Sequence, residues 1–174
     1  MKTVAIILAR GGSKGIPQKN IIDFCGKPLL AWTIEHCRDN GIDSVYVSSD
    51  SDKILEVGEE YGAESIKRPE GISGDTATSE SGWLHALEVI EEKTTNLDWI
   101  LAPQVTSPLR STYDIRNGFE IAKSGRFDSL FSCSITEILN FWEESSGNFD
   151  SVNYDWRNRK LRQDLPKQYI ENGS

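Results

Sequence analysis

"VAIILARGGSKGIPQKN", residues 4–20, joins a short apolar run to a segment rich in glycine and basic side chains. The run is too short for the hydrophobic region of a signal peptide, and its β-branched residues predict a buried strand. Arg10, Lys14 and Lys19 then surround two adjacent glycines, and no acidic residue stands between them. Glycines let the backbone approach an anion while the bases neutralise its charge, so this loop predicts a polyanion site. A flexible basic loop is the alternative.

The spacing of this loop matches neither the P-loop nor the dinucleotide-binding fingerprint, which argues against a common ATPase or dehydrogenase. The rest of the chain makes the basic loop more informative, because 19 Lys and Arg stand against 27 Asp and Glu, for a net charge of −8. That balance argues against binding to nucleic acid or to a membrane surface. Three scattered cysteines indicate reduced thiols in a cytoplasmic protein, and only two histidines argue against a zinc site.

Short apolar runs alternate with helical patterns along most of the 174 residues. Strands are predicted at residues 3–8, 44–49, 63–69, 98–103 and 127–135, and helices at 28–41, 52–62, 78–93 and 111–125. This alternation predicts the α/β class, with βαβ units, a mostly parallel sheet and helices on both faces. On the third helix we expect Trp83, Leu84, Leu87 and Ile90 to face the core, with His85 in a structural role.

The sequence changes character near residue 137, where it becomes polar, rich in aromatic residues and poor in periodicity. Such a segment could be an arm that packs on a partner subunit or a lid over a site. We therefore expect a nucleotide-binding α/β core over residues 1–136 and a projecting dimerisation and active-site segment over 137–170. Residues 171–174 would be the start of a strand that is cut short.

Ligands in doubly wound sheets bind beyond the carboxyl ends of the strands, and three further strand ends carry polar residues. Asp50 follows the second strand and could touch a ribose, a sugar or a metal, or could cap the next helix. Arg68 follows the third strand and leads into "GISGDTATSES", whose hydroxyl residues precede a helix. After the fourth strand, two prolines stiffen "APQVTSPLR", which we expect to present Gln104, Thr106, Ser107 and Arg110.

Four ordered stretches together carry a resemblance that covers essentially the whole chain: ILARGGSKGIPQKN, RPEGISGDTATSESGWLHAL, QVTSPLR and RQDLP…YIENGS. They resemble the cytidylyltransferases that activate nonulosonic acids, such as the CMP-N-acylneuraminate synthetases. The resemblance implies a Rossmann-like nucleotidyltransferase fold, a homodimer, and transfer of CMP from CTP to a sialic-type acid with release of pyrophosphate, dependent on Mg²⁺. The related CMP-Kdo synthetases match the later motifs less well.

The resemblance also implies roles for individual residues. Arg10 and Lys19 would be catalytic. The triphosphate would be bound by Arg10, Gly11, Gly12, Ser13, Lys14, Lys19 and Asn20. Arg68 and Ser79 would lie by the cytosine and ribose, Gln104 by the sugar acid, and Arg162 and Gln163 by the sugar acid or phosphates.

One departure from the family pattern concerns the metal. The family carries its main Mg²⁺ carboxylates in a D-x-D stretch well beyond the Y-I-E-N-G-S strand, so their counterparts are expected beyond Ser174. We therefore expect these residues to be a fragment that binds nucleotide weakly and turns over CTP negligibly. The alternatives are a nucleotide- or sugar-binding module without turnover, or an enzyme for legionaminic, pseudaminic or Kdo substrates.

Overall fold

The computed structural model describes residues 1–42, 44–136 and 141–173. The chain forms two compact units: the first comprises Met1–Leu130 together with Gly173, and the second comprises Phe131–Asn172. The strands of the first unit are β1 (Thr3–Leu8), β2 (Asp23–Phe24), β3 (Lys27–Pro28), β4 (Ser44–Ser49), β5 (Glu64–Lys67) and β6 (Trp99–Leu101). Its helices are α1 (Leu29–Arg38), α2 (Asp52–Glu60), α3 (Ser79–Glu91) and α4 (Thr112–Lys123). The second unit contains β7 (Cys133–Thr136), β8 (Trp142–Ser145), β9 (Asn148–Ser151) and β10 (Gln168–Glu171).

A four-stranded parallel sheet of order β5-β4-β1-β6 forms the centre of the first unit. Ala5 of β1 stands opposite Val45 of β4 on one side and Leu101 of β6 on the other. β1 therefore lies inside the sheet, which explains why its first five residues, Thr3 to Ile7, are all buried. Because the strands are parallel, the loops that follow them all leave from one edge of the sheet.

Helices cover both faces of this sheet, as predicted. One face of β1 presents Ala5 and Ile7 to a cluster that includes residues of α1 and α2. The opposite face presents Val4 and Ile6 to a cluster that includes residues of α3. This alternation is the period-two pattern of a strand that is buried on both sides.

The predicted core face of α3 is wrong at Leu84, whose side chain is 61% exposed. Ala86 and Ile90 are the α3 residues that are fully buried against the sheet. Leu84 precedes Ala86 by two positions, which is roughly 200° around a helix and places it on the opposite side.

The fifth predicted strand is also corrected. Residues 127–132 form no strand, and β7 begins only at Cys133. β7 pairs antiparallel with β10 and does not join the parallel sheet. The partner strand lies more than thirty residues further along the chain, so the local pattern at 127–135 could not indicate it. β10 ends at Glu171, the residue where the last strand was predicted to begin.

The second unit consists of the β7–β10 pair and the β8–β9 hairpin. Ser146 and Gly147 join the hairpin strands with φ of 53° and 79°, the left-handed pair that a tight hairpin turn requires. Trp142 packs against Tyr154 and Trp156, with ring centroids 5.9 Å and 6.2 Å away. The predicted boundary at residue 137 lies outside the described residues, and the dimerisation role of this segment stays a prediction.

Candidate nucleotide site

A cleft of about 390 Å³ lies in the first unit, among the loops that follow β1, β5 and β6 and the start of α3. Its volume is within the range of small-molecule sites. Seven of the predicted site residues line it: Arg10, Ser13, Lys19, Asn20, Arg68, Ser79 and Gln104. These residues come from four separate stretches of sequence, and the parallel sheet brings them to one edge.

The basic loop, residues 9–20, connects β1 to the turn that starts at Lys19. Asp50 and Asn20 hold its beginning: Gly11 N–H donates to Asp50 Oδ1 at 2.8 Å, and Asn20 Nδ2 donates to the Arg10 carbonyl at 2.9 Å. A Cβ atom at Gly11 would lie 3.0 Å from Ser51 Cβ, which explains the glycine at this close approach. The loop is therefore anchored to the end of β4.

Asp75 supplies the acidic group that the basic loop itself lacks. Arg10 Nη1 donates to Asp75 Oδ1 at 3.1 Å, and Lys14 Nζ lies 2.6 Å from Asp75 Oδ2. Arg10 Nη1 also donates to the Gly74 carbonyl at 3.2 Å. The hydrogen bond from Lys14, with the positive charges of Lys14 and Arg10, lowers the pKa of Asp75. Sequence reasoning missed this residue, because the contact joins positions that are 65 residues apart.

Arg68 lies just beyond β5, and its side chain is only 6% exposed although it lines the cleft. Its backbone N–H donates to the Ser49 carbonyl at 2.8 Å, which fixes its position beside the end of β4. Gly82 of α3 leaves room for the guanidinium, since a Cβ there would lie 2.9 Å from Arg68 Nη1. Burial, with the nearby charge of Arg10, lowers the pKa of Arg68, while Asp50 acts in the opposite direction.

The guanidinium of Arg68 carries unused hydrogen-bonding capacity. Within the described part of the chain its Nε has no hydrogen-bond partner. A buried polar group without a partner costs free energy, of the order of 1–3 kcal/mol. The Nε atom is itself shielded from solvent, so a ligand in the cleft would meet Arg68 through the part of its side chain that lines the cleft.

The amino end of α3 forms another wall of the cleft. Thr78 caps the helix: its Oγ1 accepts the Ser81 N–H at 3.2 Å, and Ser81 Oγ donates to the Thr78 carbonyl at 2.8 Å. The cap is thus Thr78, one of the hydroxyl residues that precede this helix in the sequence. Ser79 is the first helical residue and lines the cleft, with its side chain exposed.

The loop after β6 closes the cleft with Gln104 and Thr106. Arg110 lies beneath this loop and is only 5% exposed, so the prediction that the loop presents Arg110 is wrong. Its Nη2 donates to the carbonyls of Gln104 at 3.1 Å and Gly173 at 3.3 Å. These two hydrogen bonds connect the buried guanidinium to the backbone of the loop.

The remaining predicted residues are not among those that line the cleft. Gly11 and Gly12 belong to the basic loop, and Lys14 contacts Asp75 as described above. Arg162 and Gln163 begin a short 3-10 turn in the second unit, where both are exposed. Their role toward the sugar acid stays a prediction.

The described residues include no group of three or more His, Cys, Asp or Glu that could hold a metal ion. The two carboxylates nearest the basic loop are already engaged, Asp50 with Gly11 N–H and Asp75 with Arg10 and Lys14. The side chains described for this cleft therefore do not fit a divalent cation site by themselves. No described helix has the length and apolar character needed to cross a membrane.

Comparison with known proteins connects this geometry with one family. The sequence model of the cytidylyltransferase family matches residues 4–163. A pseudaminic acid cytidylyltransferase of Campylobacter jejuni is 35% identical over 182 aligned positions, which cover 100% of this chain and 77% of that protein. N-acylneuraminate cytidylyltransferase B of Danio rerio is 36% identical over 177 positions, covering 98% of this chain and 40% of that protein.

Solved structures agree in fold. A 4-diphosphocytidyl-2C-methyl-D-erythritol synthase superposes with a TM-score of 0.63 at 14% identity, over 98% of this chain and 74% of that one. A CMP:2-keto-3-deoxy-manno-octonic acid synthetase complexed with CTP gives a TM-score of 0.57 at 21% identity, over 78% of this chain and 52% of that one. Both likenesses support the Rossmann-like α/β nucleotidyltransferase fold that the sequence predicts.

Proposed function

The chain belongs to the cytidylyltransferase family, and on this premise we propose that it transfers CMP from CTP to a sialic-type nonulosonic acid and releases pyrophosphate. One observation carries the proposal: a single cleft gathers the basic loop after β1, the buried Arg68 and the polar loop after β6. These are the three kinds of surface that a triphosphate, a nucleoside and a sugar acid would need. The relatives named above, which act on N-acylneuraminate and pseudaminic acid, support the same substrate class.

The triphosphate would bind at the basic loop. Arg10 and Lys19 line the cleft and would contact phosphate oxygens, with Ser13 beside them. Charge-assisted hydrogen bonds of this kind contribute about 1.5–3 kcal/mol each. Gly11 and Gly12 would allow the backbone to approach the anion. Lys14 would become available once phosphate replaces the carboxylate that it now contacts.

The nucleoside would lie against Arg68 and Ser79. A cytosine ring offers a carbonyl oxygen and a ring nitrogen as acceptors, and the largely buried guanidinium of Arg68, a residue that lines the cleft, is a donor. A buried donor discriminates strongly against a ligand that leaves it unpaired. The Ser79 hydroxyl at the start of α3 would serve the ribose or a phosphate.

The sugar acid would bind beside Gln104, which is exposed on the loop after β6. Its amide can donate to a carboxylate and accept from a hydroxyl group, both of which a nonulosonic acid carries. We propose that Arg162 and Gln163 also serve the sugar acid or phosphates, on the strength of the family resemblance alone.

The reaction needs no covalent intermediate on the protein. The anomeric hydroxyl oxygen of the sugar acid attacks the α-phosphorus of CTP, the bond from that phosphorus to the β-bridging oxygen breaks, and the proton passes to solvent. Pyrophosphate is a good leaving group, so catalysis depends on alignment of the reactants and on neutralising charge. Arg10 and Lys19 would provide that charge. Neither His36 nor His85 is among the cleft residues that the structure describes.

Three further elements of the proposal rest on the family and the composition. We propose dependence on Mg²⁺, but we assign no ligand to it and attribute no step to it. We propose a homodimer through the aromatic segment at residues 137–170, and a cytoplasmic location in keeping with three free cysteines. Negligible turnover by residues 1–174 alone also stays a prediction.

Pyrophosphate release tests the proposal. Two proteins are assayed: the product of the complete reading frame, called the gene product, and residues 1–174. Each is given CTP or ATP as the nucleotide, and N-acetylneuraminate, pseudaminate or Kdo as the acceptor. We expect release that requires both CTP and one nonulosonic acid. If the gene product binds CTP but releases no pyrophosphate with any of the acceptors, a binding module without turnover is favoured. Absence of CTP binding would contradict the proposed function.

A further inference from the structure

One peptide unit of the basic loop is held at both ends. The carbonyl of Arg10 accepts from Asn20 Nδ2 at 2.9 Å, and the N–H of Gly11 donates to Asp50 Oδ1 at 2.8 Å. These two groups belong to the same planar peptide. A planar unit with a hydrogen bond at each end has one orientation, and the Cα atoms of Arg10 and Gly11 are fixed with it.

Asp50 and Asn20 hold this peptide directly, and each also has a relation to the cleft: the charge of Asp50 acts on Arg68, and Asn20 is among the lining residues. The side chain of Asp50 does not cap α2, because the helix begins after Ser51 and no side chain accepts from its first turn. Asn20 is only 6% exposed, and its amide nitrogen is already engaged with the Arg10 carbonyl. The helix cap predicted as one role for Asp50 is therefore not formed, and the phosphate contact predicted for Asn20 stays a prediction.

The clamp explains how a loop of glycines keeps a defined shape. Gly11 and Gly12 cost more conformational entropy to order than other residues would, so a phosphate site built on them needs support from other residues. Asp50 follows β4, and Asn20 lies in the 3-10 turn Lys19–Ile21, at the end of the loop. The Arg10 side chain leaves the backbone directly beside the clamped peptide and lines the cleft.

We propose that Asp50 and Asn20 are positioning residues that act as one clamp on the Arg10–Gly11 peptide and so preorganise the basic loop for nucleotide. The inference rests on the proposed binding of CTP in this cleft. Because the two side chains hold opposite ends of one peptide, loss of either releases it. Loss of both side chains should therefore weaken CTP binding no more than loss of one, although the residues stand thirty positions apart in sequence.

Isosteric substitutions separate this clamp from a general structural role. Asp50→Asn keeps an acceptor oxygen for Gly11 N–H, so we expect CTP affinity within about threefold of wild type. Asn20→Asp keeps the shape but removes the donor to the Arg10 carbonyl, so we expect a loss of about tenfold. Asp52→Ala is the matched control, because it removes an exposed carboxylate two residues from Asp50 that contacts Lys67 and not the loop.

The experiment is a double-mutant cycle on CTP affinity, measured by titration calorimetry with the chain and with Asp50→Ala, Asn20→Ala and the double variant. We expect about tenfold weaker binding in each single variant and about the same tenfold in the double. A double variant weakened by the product of the two, about a hundredfold, would overturn the clamp. So would wild-type affinity in either single variant.

Exchange of the Gly11 amide hydrogen, followed by NMR in the absence of nucleotide, provides a readout that does not depend on CTP. Loss of the acceptor in Asp50→Ala should speed this exchange by about an order of magnitude, while the melting temperature changes little. If the wild-type chain does not bind CTP, the proposed function fails, and Gly11 exchange still decides the clamp. An unchanged rate of Gly11 exchange in Asp50→Ala would overturn the clamp. If an alanine variant does not fold, wild-type CTP affinity in Asn20→Asp would overturn it instead.

Discussion

Asp75 lies between Arg10 and Lys14, with one carboxylate oxygen 3.1 Å from Arg10 Nη1 and the other 2.6 Å from Lys14 Nζ. A carboxylate with two oxygens on two bases resembles part of a phosphate group in charge and geometry. The loop around Asp75 also lines the cleft. A nucleotide that binds through these bases must therefore replace Asp75 as their partner.

Removal of the Asp75 charge should strengthen CTP binding. We expect Asp75→Asn to lower the dissociation constant for CTP by about threefold. Loss of this carboxylate charge frees both Arg10 and Lys14 for phosphate, but the gain is small because exposed ion pairs are weak. Since the pKa of Asp75 is lowered, the group stays ionised across neutral and mildly acidic pH, and the gain should be constant there. Titration calorimetry checks this, with Glu120→Gln as control for an exposed carboxylate paired with a lysine. Weaker binding in Asp75→Asn would mean that Asp75 supports the site.

Gly82→Ala should impair nucleotide binding. The added Cβ would meet Arg68 Nη1 at 2.9 Å and the two Cδ atoms of Leu8 at 3.1 Å and 3.3 Å, so both side chains must shift. Alanine also favours a helix over glycine by about 1 kcal/mol. We expect CTP affinity to fall about tenfold because Arg68 leaves its position. Calorimetry and thermal unfolding measure the two effects.

The matched control for that variant is Gly118→Ala on α4, where no atom lies within 4 Å of the added Cβ. It should share any gain in helix stability and leave CTP binding unchanged. Equal CTP affinity in Gly82→Ala and Gly118→Ala would contradict the placement of Arg68 beside the nucleoside.

Arg10 and Lys19 should each be needed for turnover. Both line the cleft, and loss of one charge-assisted contact to phosphate should reduce turnover of the gene product by about an order of magnitude or more. We expect Arg10→Ala and Lys19→Ala to fold normally, because neither side chain is buried in the core. Arg116→Ala, an exposed arginine on α4, is the control for removal of a positive charge. Wild-type turnover in Arg10→Ala would refute the phosphate-loop role.

Cys37 should be inert in the folded protein. Burial raises the pKa of its thiol from 9.0 to about 12, against a smaller opposite effect of the Arg110 charge. The thiolate is therefore absent at mildly alkaline pH, and iodoacetamide should modify the exposed Cys25 first. Peptide mass spectrometry after limited alkylation checks this, and equal rates at the two cysteines would contradict it.

The same shift has a consequence for stability. The folded pKa lies above the unfolded one, so the free energy of unfolding is unaffected below pH 9.0 and should fall as pH rises towards about 12. Chemical unfolding of wild type and Cys37→Ala at several alkaline pH values isolates this contribution. A pH dependence identical in both would show that Cys37 is not its source.

The fold was predictable where the pattern is local and repeated. β1 and β4 have the predicted bounds, and the helix predicted at 111–125 is α4, which Ser111 caps in a capping box with Asp114. The burial of β1 on both sides follows from its unbroken apolar run. The β7–β10 pair was missed because its register depends on a partner far along the chain.

The site was predictable in its composition and less so in its contacts. Glycines and bases after a first strand identify the basic loop. No short-range sequence pattern, however, indicates that Asp75 pairs with Arg10 and Lys14. Arg110 shows the limit most clearly: a loop arginine is usually exposed, yet the carbonyls of Gln104 and Gly173 hold it beneath the loop. Such contacts arise from tertiary packing, which overrides local preference.

The central claim is that CMP passes intact from CTP to the sugar acid, and ³¹P NMR of the reaction tests it most directly. The gene product is incubated with CTP, Mg²⁺ and N-acetylneuraminate or pseudaminate, and the phosphorus products are identified by their resonances. We predict pyrophosphate together with an equal amount of one phosphodiester, and formation of both products about tenfold or more slower when Arg10→Ala replaces the wild type. Pyrophosphate accompanied by free CMP, or CTP left unchanged with every acid offered, would contradict the account.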